Sequence, residues 1–66
     1  MKLKDIIELI KEDDYISIYS PAENIYEQQE IIKCEYDKAY DNFKVIEIET
    51  NLTSGGWPVI EISIEE

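Results

Sequence analysis

The sequence has no histidine and no arginine, and it contains a single cysteine, Cys34. Histidine is the most common general base and metal ligand, and arginine is the side chain that clamps phosphates and carboxylates through paired hydrogen bonds. One thiol forms neither an internal disulfide nor a zinc site. We therefore expect no cofactor, no metal and no enzymatic activity.

Motifs for phosphate and calcium binding are also missing. Ser54-Gly55-Gly56 is shorter than a phosphate-binding loop and lacks its lysine. Glu12-Asp13-Asp14 lacks the spaced oxygen ligands and the glycine of a calcium loop. No apolar run reaches the length of a signal peptide or a membrane span. These absences predict a cytoplasmic protein that does not bind membranes.

The chain has 66 residues, which is enough for one domain, residues 1–66. A domain of this size buries only about 60% of the surface that its unfolded chain exposes. Its hydrophobic content of 44% nevertheless argues against disorder. Without disulfide or metal cross-links, we expect stability to come from a good core or from self-association.

Negative charge is in large excess, because 16 Asp and Glu face six Lys and give a net charge of −10. Such a field repels nucleic acid and anionic membranes, and it accelerates encounters with basic protein surfaces. Direct binding of nucleic acid needs a positively charged surface. Solubility alone needs a smaller net charge, so we favour a functional role for the excess.

Hydrophobic periodicity predicts one helix and up to four strands. The apolar spacing of Leu3, Ile6, Ile7 and Ile10 indicates a helix. Glu27-Gln28-Gln29-Glu30 interrupts the alternation of the second strand, which fits either a bulge or a helical turn. The predicted elements are a helix over 3–12, strands over 15–19, 25–32, 43–50 and 57–65, turns over 20–24 and 51–56, and a short helix or helical loop over 35–41.

These elements predict an α+β fold with the N-terminal helix packed on a three- or four-stranded antiparallel sheet. Lys44 falls on the core side by parity. Trp57 is predicted to cap the end of the sheet, and the alternative is an exposed interface anchor on the loop. The isoleucines predicted on the core face, which the helix residues would cover, are Ile16, Ile18, Ile46, Ile48, Ile60, Ile62 and Ile64.

The opposite side of the sheet follows from the two-residue period of a strand. We name this side the open face. It combines glutamates with tyrosines, and like charges on neighbouring strands destabilise a sheet. Two interpretations compete: an ordinary solvated face, or a docking surface on which tyrosines anchor a basic partner. The residues predicted on the open face are Tyr15, Ser17, Tyr19, Val45, Glu47, Glu49, Val59, Glu61, Ser63 and Glu65.

Several segments resemble small proteins encoded by phages and mobile elements of low-GC Gram-positive bacteria. The resemblance rests on the opening Met1–Ile7, on Asp14–Tyr19, on Ile25-Tyr26 and on Val45-Ile46-Glu47-Ile48. Some proteins of this kind are anti-CRISPR or other anti-defence inhibitors, and some of those occupy the nucleic-acid site of their target. The resemblance implies such a role here, without assigning any binding residue.

Taken together, the sequence predicts a small acidic inhibitor that docks on a basic protein surface. That surface would include the nucleic-acid-binding site of a host defence protein if the carboxylates imitate phosphates. The alternative is a homo-oligomeric structural or accessory protein, such as a homodimer formed through an edge strand or the tyrosine face. The residues predicted to bind the partner are Tyr15, Tyr19, Glu47, Glu49 and Glu61.

Overall fold

The computed structural model describes all residues, 1–66, as one helix, four strands and two short 3-10 turns. No helix in it combines the length and the apolar character needed to cross a bilayer. The elements are α1 (Leu3–Leu9), β1 (Tyr15–Ser20), β2 (Ile25–Ile32), 3-10 turns at Lys33–Glu35 and Lys38–Tyr40, β3 (Lys44–Leu52) and β4 (Pro58–Glu65).

The four strands form one sheet in the order β2-β1-β4-β3. β1 pairs with β2, and β3 with β4, in antiparallel hairpins, whereas β1 and β4 run parallel. The α+β class is therefore confirmed, but the prediction of a purely antiparallel sheet is wrong because the sheet is mixed. The two hairpins lie side by side, with β1 and β4 in the centre.

The burial of the strands follows this order. β1 and β4 contain Ile16, Ile18, Ile62 and Ile64, all of which are buried. β2 and β3 contain charged side chains that stay hydrated more easily at an edge. Placing the two strands with buried isoleucines side by side concentrates the apolar surface at the centre of the sheet.

One buried cluster joins residues of the N-terminal segment to the core face of the sheet. It contains Leu3, Ile7 and Ile10 together with the four central isoleucines. α1 ends at Leu9, earlier than the predicted residue 12, because Ile10 is extended and acidic residues follow at 12–14. Negative charges at a helix C-terminus oppose the helix dipole, whereas the Lys33 Nζ donates a 3.0 Å hydrogen bond to the Ile10 carbonyl.

The interruption predicted in β2 is a bulged region of the β1–β2 ladder. The register shifts twice, and Glu30 adopts a φ of 51°. The chain then returns to the other edge of the sheet through residues 33–43, where Tyr36, Tyr40 and Phe43 pack against the buried cluster. The helix or helical loop predicted over 35–41 is thus two single 3-10 turns.

A second irregularity lies near the start of β3 and inverts part of the predicted parity. The β3–β4 register shifts between Val45 and Glu47, so that Val45 lies opposite Ile64 and Lys44 opposite Glu65. Val45 therefore shares the core face and Lys44 the open face, the reverse of the prediction. Ile46 and Ile48, predicted as core residues, are 44% and 47% exposed.

The β3–β4 hairpin closes with a loop in which Gly56 has a φ of 85°. Thr53 and Trp57 flank the loop, and the Thr53 N–H donates a 2.7 Å hydrogen bond to the Trp57 carbonyl. The Trp57 side chain is 64% exposed. The prediction that Trp57 caps the sheet is therefore wrong, since its ring lies beside the hairpin loop and not over the core.

Candidate functional site

The register of the sheet places the predicted partner-binding residues on one side. Tyr19 of β1 lies beside Ser63 of β4, which lies opposite Glu47 of β3. In the next row Glu61 lies opposite Glu49, and in the last row Tyr15 lies beside Val59. Laterally paired residues of a sheet share a face. The predicted grouping of Tyr15, Tyr19, Glu47, Glu49 and Glu61 on the open face is therefore confirmed as geometry, and their role in binding stays a prediction.

Three carboxylates crowd together on the β3–β4 half of the open face. Glu47 and Glu49 lie two residues apart on β3, and Glu61 is the cross-strand partner of Glu49. The hydrogen bond that a protonated Glu49 donates to the Glu47 carboxylate, followed by the negative charges of Glu47 and Glu61, raises the pKa of Glu49 above its ordinary value. The sheet thus holds like charges in mutual repulsion.

The chain's own lysines do not neutralise these carboxylates. The one salt bridge in the structure joins Lys44 to Glu65 at 3.6 Å between Nζ and Oε1, at the far end of the β3–β4 ladder. Both side chains are about half exposed or more, and pairs of this kind contribute little to stability. Glu47, Glu49 and Glu61 therefore have no lysine of the chain as an ion-pair partner.

The other half of the open face is aromatic. The rings of Tyr19 and Tyr26 lie 4.9 Å apart between centroids and are tilted by 55°. The Tyr26 hydroxyl donates a 3.0 Å hydrogen bond to the Glu61 carboxylate, which raises the pKa of Tyr26. The Tyr19 hydroxyl donates to the Asn24 side chain in the β1–β2 turn. The tyrosines therefore border the carboxylates directly.

Sequence reasoning missed Tyr26 as a residue of this surface. Its side chain is 41% exposed, and its hydroxyl joins β2 to Glu61 across β1. The turn at residues 20–24 could have predicted the position of Tyr26, because a hairpin closed there places Tyr26 opposite Tyr19. The bulges further along β2 do not disturb that first pair.

The end of the open face near Tyr15 is more enclosed. Ser17 and Val59 are only 2% and 3% exposed. The Glu30 N–H donates to the Ser17 Oγ at 2.9 Å, and the Glu30 Oε1 accepts from the Ser54 N–H at 3.4 Å. These contacts tie the bulge of β2 to the β3–β4 loop. Val59, predicted on this face, is thus a buried residue and not part of the exposed surface.

A pocket of about 420 Å³ lies elsewhere, between α1 and residues 33–41. Its lining includes Lys4, Lys33 and Lys38 but also Glu8 and Asp41, so its charges nearly balance. Lys33 already donates hydrogen bonds to the backbone carbonyls of Glu8 and Ile10. Cys34 also lines this pocket and is exposed.

The tyrosine of this pocket is fixed in its neutral form. Burial, and then a 2.7 Å hydrogen bond donated to Asp41, raise the pKa of Tyr36 far above its ordinary value. Tyr40 likewise donates to Glu27 at 3.1 Å, and this bond raises its pKa. Both phenols hold the 33–43 segment in place as hydrogen-bond donors.

The open face offers hydrogen-bond acceptors, negative charge and half-buried aromatic rings. Its members Glu47 and Glu49 project from consecutive positions on one side of β3, about 6.6 Å apart by the rise of a strand. Lysine and arginine are the side chains that such a surface binds. Comparison with protein-family models, with curated proteins and with solved structures finds no match to this chain.

Proposed function

We propose that this protein acts by binding a cationic surface of another protein through its open face. The observation that carries the proposal is the cluster of Glu47, Glu49 and Glu61, which the sheet holds together and which no lysine of the chain neutralises. A protein gains nothing in stability from such a cluster, since cross-strand carboxylates repel. A cationic partner relieves that repulsion.

The tyrosines supply the second half of the proposed interface. Tyr19 and Tyr26 form an aromatic pair directly beside Glu61. Tyrosine is enriched among residues that dominate binding energy, because it buries a large rigid ring while keeping a polar group hydrated. The carboxylates would govern the rate of encounter and its salt dependence, and the tyrosines the lifetime of the complex.

The resemblance to phage and mobile-element proteins suggests a class of partner. A nucleic-acid-binding protein of a host defence system presents lysine and arginine to phosphates. Regularly spaced carboxylates on a rigid sheet offer the same groups a substitute. We therefore propose an anti-defence inhibitor that occupies such a site and catalyses no reaction.

Capture from host lysate tests the electrostatic part of this proposal. The immobilised protein is compared with a variant carrying Glu47→Gln, Glu49→Gln and Glu61→Gln. We expect the wild type to retain basic proteins at low salt and to release them at high salt, because screening weakens charge pairing. The triple variant should bind the retained partner about tenfold more weakly or worse.

A charge-matched control separates the cluster from net charge alone. Glu12→Gln, Glu23→Gln and Glu66→Gln remove three exposed carboxylates outside the cluster. This control should bind nearly as well as the wild type. Equal loss in both triple variants, or retention that ignores salt, would show that the open face is not the binding surface.

A further inference from the structure

The outer edge of the sheet at β3 has no partner along most of its length. Residues near the N-terminus cover only its start: Lys2 bridges to Lys44, and the Val45 N–H donates to the Met1 carbonyl at 2.9 Å. Beyond the bulge, residues 47–52 pair regularly with β4 on one side and with nothing on the other. We name this segment the free edge.

The two sides of the free edge carry different kinds of side chain. Glu47 and Glu49 lie on the open face, while Ile48 and Leu52 lie on the core face opposite Ile62 and Pro58. Ile48 and Leu52 are 47% and 69% exposed, so the apolar side of the free edge is not covered by the rest of the chain. The free edge therefore displays two carboxylates on one side and two aliphatic side chains on the other, beside unpaired backbone groups.

The opposite edge of the sheet is built differently. β2 has two register shifts and a positive φ at Glu30, and such bulges discourage the pairing of another strand. Gln28 of β2 also contacts the chain beyond it, through a donor bond to the Glu35 carbonyl and an acceptor bond from the Asp37 N–H. Only the β3 edge is regular and accessible.

A second copy of this chain is a poor occupant of the free edge. Antiparallel self-pairing centred on Ile48 or Glu49 sets glutamates of one copy opposite glutamates of the other, which is destabilising. Pairing centred on Thr50 avoids this contact but provides no cation for Glu47 or Glu49. Each copy also brings a net charge of −10. An occupant with cationic side chains on one face and aliphatic ones on the other satisfies both rows of the free edge.

We propose that β3 accepts an extended segment of a partner protein as an additional strand of the sheet. Lysine or arginine of that segment alternates with aliphatic residues, so that its cations lie beside Glu47 and Glu49 and its aliphatic side chains beside Ile48 and Leu52. Backbone hydrogen bonds supply affinity in this mode, and the alternate side chains supply specificity. The inference rests on the proposed function and names the form of the cationic partner.

Two peptides of identical composition test the strand addition. One alternates lysine and valine, and the other groups its lysines and valines into separate blocks. We expect the alternating peptide to bind at least about tenfold more tightly and to slow amide hydrogen exchange within residues 47–52. Equal affinity for both peptides, or slowed exchange only outside β3, would overturn the inference.

Variants on the apolar side distinguish this inference from docking on the open face. Ile48→Lys and Leu52→Lys, tested separately, should each weaken binding of the alternating peptide and capture of the partner about tenfold, because both residues line the proposed strand site. If the lysine variants bind the peptide normally but the glutamine triple variant loses capture, strand addition is wrong and face docking survives. If no variant loses peptide binding or capture, strand addition and face docking are both wrong. If the protein sediments as a dimer and Ile48→Lys dissociates it, the occupant of the free edge is a second copy of the chain and not a cationic partner.

Discussion

At the scale of single residues, the clearest conflict in the molecule is the one between Glu47, Glu49 and Glu61. Folding brings the three carboxylates into neighbouring positions of one sheet face, and the pKa of Glu49 rises as a result. A carboxyl with a raised pKa holds its proton more tightly in the folded state than in the unfolded state. Its protonation therefore favours folding.

This linkage predicts how the glutamate-to-glutamine change at position 49 depends on pH. The stability gained from Glu49 protonation is present below the ordinary pKa of glutamate, about 4.3, and it is lost as the pH rises through the raised folded value. Glu49→Gln removes the charge at every pH. We expect it to raise the Tm near neutral pH, with a gain that shrinks as the medium is acidified.

Thermal unfolding at a series of pH values measures this effect. Glu12→Gln, an exposed position after α1 and away from the cluster, is the matched control. If Glu49→Gln leaves the Tm unchanged or lowers it near neutral pH, the three carboxylates do not repel one another in solution.

At the scale of elements, the β3–β4 hairpin depends on one glycine and not on its neighbour. Gly56 has a φ of 85°, and a Cβ there would meet nothing within 4 Å. A Cβ on Gly55 would lie 3.5 Å from the Trp57 Cδ1, an ordinary contact, and the φ of Gly55 is not in the left-handed range. The two positions differ in backbone conformation and not in space.

Alanine substitution at each glycine therefore has a different result. Gly56→Ala should destabilise the domain by about 1–2 kcal/mol, which lowers the Tm of a domain of this size by about 4–8 °C for each kcal/mol. Gly55→Ala should be neutral or slightly stabilising, because it reduces the freedom of the unfolded chain. Equal losses in urea or thermal unfolding would refute the role of the backbone at Gly56.

Bulges mark the limit of what strand parity could predict. The alternation of β1 and β4 correctly placed Tyr15, Tyr19 and Glu61, because both strands keep their register with each other. In β3 the bulge near Ile46 reversed Lys44 and Val45 but left Glu47 and Glu49 where they were predicted. An extra residue in a strand shifts every position on one side of it, and the amino-acid pattern of 43–50 does not reveal it.

The order of the strands could not be predicted from the sequence, for a related reason. Both hairpins could be recognised from their turns, because asparagine and glycine are common where a turn needs a positive φ. Asn24 and Gly56 do adopt a positive φ. The edge at which the β1–β2 hairpin joins the β3–β4 hairpin depends on long-range packing of Ile16, Ile18, Ile62 and Ile64. No local pattern distinguishes a parallel contact between β1 and β4 from an antiparallel contact between β2 and β3.

At the scale of the whole molecule, negative charge is in excess and the lysines are unevenly distributed. The open face displays the glutamate cluster, whereas three of the six lysines line the pocket between α1 and residues 33–41. The molecule measures 30 × 24 × 17 Å. At low ionic strength the Debye length of about 30 Å lets charges interact across all of it, so its net charge of −10 acts against compaction.

Added sodium chloride should therefore stabilise the folded protein. Raising the salt concentration from about 0.01 to about 0.15 M shortens the Debye length to about 8 Å, and we expect the Tm to increase over this range. The variant with Glu47→Gln, Glu49→Gln and Glu61→Gln should show a smaller increase. A Tm that is independent of salt would mean that self-repulsion contributes nothing to the balance of folding.

The position of β4 has a consequence for how the chain acquires this structure. The strand furthest along the sequence is one of the two central strands, with β1 on one side and β3 on the other. Until residues 58–65 have left the ribosome, the β1–β2 hairpin and β3 have no common neighbour, and the isoleucines of β1 lack their counterparts. We therefore expect β1, β2 and β3 to join into one sheet only once residues 58–65 are present, because a chain that stops before β4 lacks the strand that lies between β1 and β3.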